Sequence, residues 1–235
     1  MKLTCSILGV LFFTTGSLAQ TNVDDVINKV ITAQGGKEKL VSINSVVMKG
    51  YSEFSGQKIP FNYYVINKTA QRTELTLSGL TAYFIITKDS GFNFNPFQGQ
   101  MSPEKMTAED LKLAQNDLDL QGLLVNYKEK GYAIELLENE DVDGVDAIQL
   151  KISVLPDKTV YYFIDPSDYY IIRKKTVSVS NGQQSRLTAD YYNFKKTSEG
   201  VLFPFSYESN FDGNITFETI EVNKPLDEKL FKPTR

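Results

Sequence analysis

Between residues 23 and 31 the apolar positions fall at Val23, Val26, Ile27, Val30 and Ile31, the spacing of one helix face. Asp24 and Asp25 lie in the first turn and Gly35-Gly36 follows the last. From Ile43 the period shortens to two. Turn residues then arrive at regular intervals, at Ser55-Gly56, Ser78-Gly79, Asp143-Gly144, Asn181-Gly182, Glu199-Gly200 and Asp212-Gly213, each separating β-rich segments as hairpin loops do. The clearest alternations set Ile148, Leu150, Ile152 and Val154 against Gln149, Lys151 and Ser153, and run through Val201, Phe203, Phe205 and Tyr207. The pattern predicts an antiparallel meander of about ten to twelve strands, from a turn spacing of roughly 8–12 residues.

One stretch breaks the alternation. Between Met101 and Asn126, Ser102 can cap a helix whose first turn holds Pro103 and Glu104, and Thr107-x-x-Asp110 offers a second start ahead of Leu111, Leu113 and Leu118. One or two helices inserted in the sheet are expected. A single sheet of this many strands must curl, and if it curls around a few helices without closing it becomes a half-open barrel. Its inner face is then either packed solid or left as a ligand cavity.

The first residues read as an address. Lys2, the apolar run Ile7-Leu8-Gly9-Val10-Leu11-Phe12-Phe13 and then Ser17-Leu18-Ala19 have the charged, apolar and small-residue parts of a secretory signal peptide covering residues 1–19, with cleavage after Ala19 or Gln20. That run is too short to span a bilayer, and no later stretch reaches the ~20 apolar residues required, so an integral membrane protein is not expected. Cys5 precedes the apolar run, whereas an acylated lipoprotein cysteine would follow it at the cut. The mature chain, residues 21–235, then carries no thiol and reads as one domain, with no repeat or low-complexity linker. Export without a disulfide framework fits a bacterial periplasm or the cell exterior, of which the periplasm is the expected location.

Composition removes much chemistry. The 235 residues contain no His, which excludes a Ser-His-Asp or Cys-His arrangement and a His-ligated metal. A formal charge of −4 without a basic stripe argues against nucleic-acid binding. The densest acidic run, Glu138 to Asp143, ends in a turn, where a solvated loop is the natural account, since paired catalytic carboxylates need opposed positions in a cleft. No catalytic residue, metal site or cofactor is expected. What stands out is aromatic content, 15 Phe and 13 Tyr.

Three Phe and a Met crowd Gly91-Phe92-Asn93-Phe94-Asn95-Pro96-Phe97-Gln98-Gly99-Gln100-Met101, beside the helical insertion. Either they anchor the loop in the core, or they rim an apolar pocket under a movable lid, where flexible Met101 and Met106 would tolerate varied ligands. The pairs Tyr63-Tyr64, Tyr161-Tyr162 and Tyr191-Tyr192 put an aromatic on both faces of their strands. Arg72 points outward to pair with Glu74, or inward, where it would bond lid carbonyls as a latch.

The chain resembles the LolA/LolB family of lipoprotein localisation factors, in particular the longer outer membrane lipoprotein-sorting proteins of Bacteroidetes-type bacteria. The resemblance rests on Val30-Ile31-Thr32-Ala33-Gln34-Gly35-Gly36-Lys37-Glu38-Lys39-Leu40, on the Phe92-Asn93-Phe94-Asn95-Pro96-Phe97 loop, and on Pro225 with Leu230-Phe231-Lys232-Pro233. It implies an incomplete antiparallel barrel closed by helices that carries the acyl chains of lipoproteins, or other lipid, across the periplasm to the outer membrane. It also implies an inner-membrane release complex and an outer-membrane acceptor as partners. Each acyl CH₂ left in water costs about 0.8 kcal/mol, so such cargo needs a hydrophobic sleeve. Without a cysteine in the mature chain, the soluble carrier is favoured over the anchored acceptor. The expected cavity wall is Phe61, Tyr63, Val65, Leu75, Leu77, Phe84 and Ile86, with Phe92, Phe94, Phe97, Met101 and Met106 at the lid. Phe92 stands where the carriers have Trp, Lys68-Thr69 stands for their basic-Pro pair, and Arg72 lies near their latch Arg. The alternative is an envelope sensor or interaction module of the same fold, which binds lipid or protein without transport.

Overall fold

The computed structural model describes residues 22–54 and 56–234; the expected leader, Cys5 included, lies outside them. Asn22 caps the first helix, α1 (Val23–Ala33), its side-chain oxygen accepting from the Asp24 amide at 3.0 Å. A short helix α2 (Lys37–Val41) follows the Gly35-Gly36 turn. Fourteen strands then build one sheet. The first six are β1 (Ser45–Phe54), β2 (Gln57–Ile66), β3 (Ala70–Leu77), β4 (Leu80–Thr87), β5 (Gly91–Phe94) and β6 (Glu104–Lys105). After helix α3 (Ala108–Ala114) come β7 (Ala133–Leu136), β8 (Glu140–Val142), β9 (Val145–Leu155), β10 (Lys158–Ile164), β11 (Ile171–Ser180), β12 (Gln183–Lys196), β13 (Leu202–Ser209) and β14 (Gly213–Val222).

The strands lie in the order β6-β5-β4-β3-β2-β1-β14-β13-β12-β11-β10-β9-β7, with β8 also on β9, and every pairing is antiparallel. This is an open curl with β6 and β7 at its ends, mainly β with few helices. Two more strands are present than the upper expectation because β5 to β8 have only two to four residues each, too few to show a period. Ser78-Gly79, Asp143-Gly144 and Asn181-Gly182 all hold positive φ at both residues, the backbone of a tight hairpin. At Gly50 the β1 backbone approaches β14 so closely that a Cβ would run into the Thr216 carbonyl, at the irregularity between Lys49 and Gly50.

The insertion folds differently from its expected first start. Glu104 and Lys105 pair with Asn93 and Phe92 as β6, so the backbone donors that a helix from Ser102 would have used go to the sheet edge. The second start holds: Thr107 Oγ1 accepts from the Asp110 amide at 3.1 Å and begins α3, which runs into a 3₁₀ turn at Gln115–Leu118.

Two helical layers fill one end of the concave face. Val26, Ile27 and Val30 of α1 pack on Leu150, Ile152 and Val154 of β9 and on Val160, Tyr162 and Ile164 of β10, with Leu123 and Leu124 completing the cluster. Leu40, Ile43 and Val125 pack beside Val46, Val201 and Val222. The outer face is covered elsewhere: Leu226, Leu230 and Phe231 of the C-terminal segment lie on Ala70, Tyr83 and Ile85.

Candidate functional site

Beyond the helical plug the concave face is aromatic. Following the register from β12 to β2, Tyr191, Tyr207, Phe217 and Phe61 form a ladder of rings whose centroids step by 6.3, 6.1 and 6.1 Å. Ile215, Leu75 and Phe205 pack beside it. Tyr63, Lys174 and Tyr191 face the same side of the sheet and are half-buried.

Pair registers assign each expected wall residue to a face. Phe61, Tyr63 and Val65 of β2 stand opposite Leu75, Thr73 and Gln71 of β3, and these opposite Ala82, Phe84 and Ile86 of β4. Phe61, Tyr63, Val65, Leu75, Phe84 and Ile86 therefore share the concave face. Leu77 continues that row at the hairpin tip, where it is exposed.

The expected lid residues do not stay together. Phe94 pairs with Tyr83 and Phe92 with Ile85, which places both on the outer face, where Phe94 stacks on Tyr83 at 5.4 Å under the C-terminal segment. Phe94 packs in the cluster beneath that cover, and Phe92 is half-buried on the same face. Phe97 sits exposed in a 3₁₀ turn at Pro96–Gln98, and Met101 is 87% exposed. Only Met106 reaches the concave side, its thioether lying over Gly91 where a Cβ would be.

Arg72 takes the outward alternative, but under cover. Its Nε donates to Glu74 at 2.7 Å, its Nη1 to the Leu230 carbonyl at 3.2 Å, and its guanidinium lies 4.5 Å from the Tyr83 ring centre. It clasps the C-terminal segment, and its hydrogen bonds go to Glu74 and the Leu230 carbonyl and not to the insertion. Other residues hold the insertion. Lys158 Nζ donates to the Leu113 carbonyl at 2.8 Å and to Asp117 at 3.2 Å, Ser180 Oγ donates to Asp110 at 2.7 Å, and the Lys68 amide donates to the Leu118 carbonyl at 2.8 Å. The insertion thus bridges the seam between β4 on one side and β10 and β11 on the other, where Gln115 also reaches the Thr87 carbonyl at 3.2 Å.

The floor of the open space is polar. Tyr63 donates to Gln71 at 2.9 Å and Tyr207 to Asp212 at 3.0 Å. Burial pushes the Tyr162 phenol up to about 12 and raises Tyr63, Tyr191 and Tyr207, so all four are neutral donors at physiological pH. Burial works against the Lys174 ammonium, and the Asp117 carboxylate together with the surrounding Tyr191, Tyr162 and Tyr63 more than offsets it, leaving Lys174 raised.

No protein-family model matches the sequence, and no curated protein matches it. Solved structures do. An outer membrane lipoprotein-sorting protein domain from Vibrio parahaemolyticus superposes over 88% of this chain and 94% of its own, with a TM-score of 0.51 at 10% identity. The fold is LolA-like. A LolA-superfamily protein from Nitrosomonas europaea covers 91% and 98% at a TM-score of 0.49 and 14% identity, and a DUF1329 family protein from Desulfovibrio piger covers 89% and 97% at 0.48 and 9%.

Within this LolA-like half-barrel the sequence reading missed Lys158, Lys174 and Asp117. A signal was there for Lys174: Arg173-Lys174-Lys175 on an alternating strand must send one cation inward if Tyr162 and Tyr191 on the flanking strands also point inward. The alternation also sorts the tyrosine pairs, with Tyr162 and Tyr191 on the concave face and Tyr161 packed in the outer cluster with Phe163. Two clefts of about 340 and 370 Å³ lie away from the ladder, beside Lys68 and Tyr132 and beside Lys29 and Tyr169, and both are open surface depressions. Exposed apolar residues gather at one end of the LolA-like barrel: Leu77 and Leu80, Val179 and Leu187, Phe211, and the Phe97–Met101 loop all lie at or near connections on the end opposite the β2–β3 turn. Among the described residues no helix is long and apolar enough to cross a membrane.

Proposed function

We propose that the protein is a non-enzymatic periplasmic carrier, which holds the acyl chains of a lipoprotein, or of another lipid, against its concave face and delivers them to the outer membrane. The observation that carries this reading is the continuous aromatic ladder Tyr191, Tyr207, Phe217 and Phe61 across the concave face, half-exposed at its Tyr191 and Tyr207 end and buried at Phe217 and Phe61. An apolar concavity with a few convergent polar groups is the usual form of a lipid or small-molecule site. The neighbour from Vibrio parahaemolyticus bears lipoprotein sorting in its name, and the apolar rim suits delivery at that end.

The test is mass spectrometry of organic-solvent extracts from protein purified without detergent, followed by transfer of the bound species between donor and acceptor vesicles. Near-stoichiometric acyl ligand with transfer is the expected result. Binding without delivery would turn the reading to a sensor of the same fold, and no bound acyl species together with no uptake of a fluorescent fatty acid would overturn it.

A further inference from the structure

The concave face holds a positive charge paired only at long range and two hydroxyl donors that hydrogen-bond to no described residue. Lys174 stands opposite Tyr162 in the β10–β11 register and opposite Ala189 in the β11–β12 register, and Tyr191 is the next residue of β12 on the same face. The three side chains therefore converge from three adjacent strands. Among the described residues neither the Tyr162 nor the Tyr191 hydroxyl makes a hydrogen bond, and neither oxygen is sealed from the interior space, since the buried atoms left without partners are Asn116 Oδ1 and Thr197 Oγ1.

Lys174 is similarly underused. Its nearest carboxylate oxygen, Asp117 Oδ1, is 3.9 Å away, beyond hydrogen-bond length, while Asp117 Oδ2 serves Lys158 at 3.2 Å. Two lysines thus share one carboxylate, and that carboxylate belongs to the inserted lid. The other acid facing this space, Asp212, is already the acceptor for Tyr207 at 3.0 Å. A half-buried cation whose carboxylate is shared, beside two hydroxyls with no acceptor among the described residues, leaves donors free to converge on an incoming anion.

We infer that Lys174, Tyr162 and Tyr191 form the headgroup site for an anionic amphiphile, a carboxylate or phosphate lipid whose acyl chain lies along the Tyr191-to-Phe61 ladder. This rests on the carrier reading and narrows it, because the neutral ester and amide oxygens of a lipoprotein anchor would leave the Lys174 charge uncompensated. The ladder starts at Tyr191, so the headgroup donors and the apolar track are continuous. The entering anion takes the role that Asp117 now half fills.

Binding of palmitate, of a monoacylglycerol phosphate with the same chain, and of palmityl alcohol to the full-length mature protein, measured by displacement of a fluorescent acyl probe, tests the site. The anionic probes should bind at least tenfold more tightly than the alcohol, and the tighter of the two names the natural headgroup chemistry. Lys174→Gln should remove that preference while leaving alcohol affinity within about twofold. Tyr191→Phe, which deletes only a hydroxyl and keeps the ring, should weaken anion binding several-fold and guards against a Lys174 variant that fails to fold. Equal affinity of the wild type for anionic and neutral probes, or a preference that survives in both variants, overturns the headgroup site and leaves the acyl carrier intact. Failure of every acyl probe to bind overturns the carrier with it.

Discussion

Lys158 of β10 lies 3.2 Å from the Asp117 carboxylate and 2.8 Å from the Leu113 carbonyl, so a single buried ammonium ties the inserted helix to the far wall of the barrel. It is costly to keep: burial lowers the Lys158 pKa even with Asp117 opposing the shift. A charge held at such a cost carries information about where the insertion sits, because few other placements satisfy it.

Replacing Lys158 by Met keeps the aliphatic stem and removes both donated hydrogen bonds. A loss of stability of about 1–3 kcal/mol is expected from the unsatisfied Leu113 carbonyl and Asp117. The sharper readout is amide exchange, which should speed up across residues 108–118 while β9 and β10 keep their protection. Unchanged exchange in the insertion would mean that Leu118 and its neighbours hold the insertion without the lysine.

Arg72 offers the contrasting case. It is 7% exposed, on the opposite face of the sheet, and bonded to Glu74 and to the Leu230 carbonyl. Arg72→Met should cost about 2–3 kcal/mol, less than the loss of a wholly isolated buried partner because Glu74 still accepts from Asn62 and Tyr64 at 3.3 and 3.4 Å. Acyl-probe affinity should stay within about twofold of wild type in urea-free buffer. A variant of normal stability that no longer retains its ligand would return Arg72 to the role of latch.

The same face logic separates two phenylalanines that look alike in sequence. Phe94 stacks on Tyr83 beneath Leu226, Leu230 and Phe231, whereas Phe84 lies on the concave face beside Tyr63 and Thr73. Phe94→Asp should therefore destabilise the fold by about 2–4 kcal/mol through loss of the C-terminal cover, read as a lower urea midpoint. Phe84→Asp should instead reduce acyl-probe binding more than tenfold with a smaller change in midpoint. The reverse pattern would put the site on the outer face.

How far these placements were legible follows from the length of each alternating run. Phe61, Tyr63 and Val65 sit in a ten-residue strand whose partners repeat the pattern, so their common face could be read directly. Phe92 and Phe94 sit in a four-residue strand whose face depends on its register with β4, and what packs on Phe94's cluster is Leu230-Phe231, well over a hundred residues on. Long-range cover of that kind leaves no local period. Lys174 was hidden for a different reason, since a basic residue on a strand ordinarily faces water, and its inward direction becomes visible only when β10 and β12 are aligned beside it.

Asp212 closes the hairpin between β13 and β14, accepts from the Tyr207 hydroxyl at 3.0 Å, and has its pKa raised by burial, with the Tyr207 and Ser209 hydrogen bonds opposing that rise. A carboxyl whose folded pKa lies above its unfolded value stabilises the fold fully below the unfolded value, about 4, and loses that contribution as pH rises through the folded pKa. At neutral pH the charged form is therefore a liability that Tyr207 only partly relieves. Asp212→Asn keeps an oxygen for the Tyr207 hydroxyl and removes the charge. The variant should be more stable than wild type near pH 7, with the difference shrinking as acid protonates Asp212 in both states. Urea titrations of the two proteins between pH 3 and pH 8 give the comparison, and an Asn variant that is less stable at neutral pH would show that the Tyr207 bond needs the carboxylate charge.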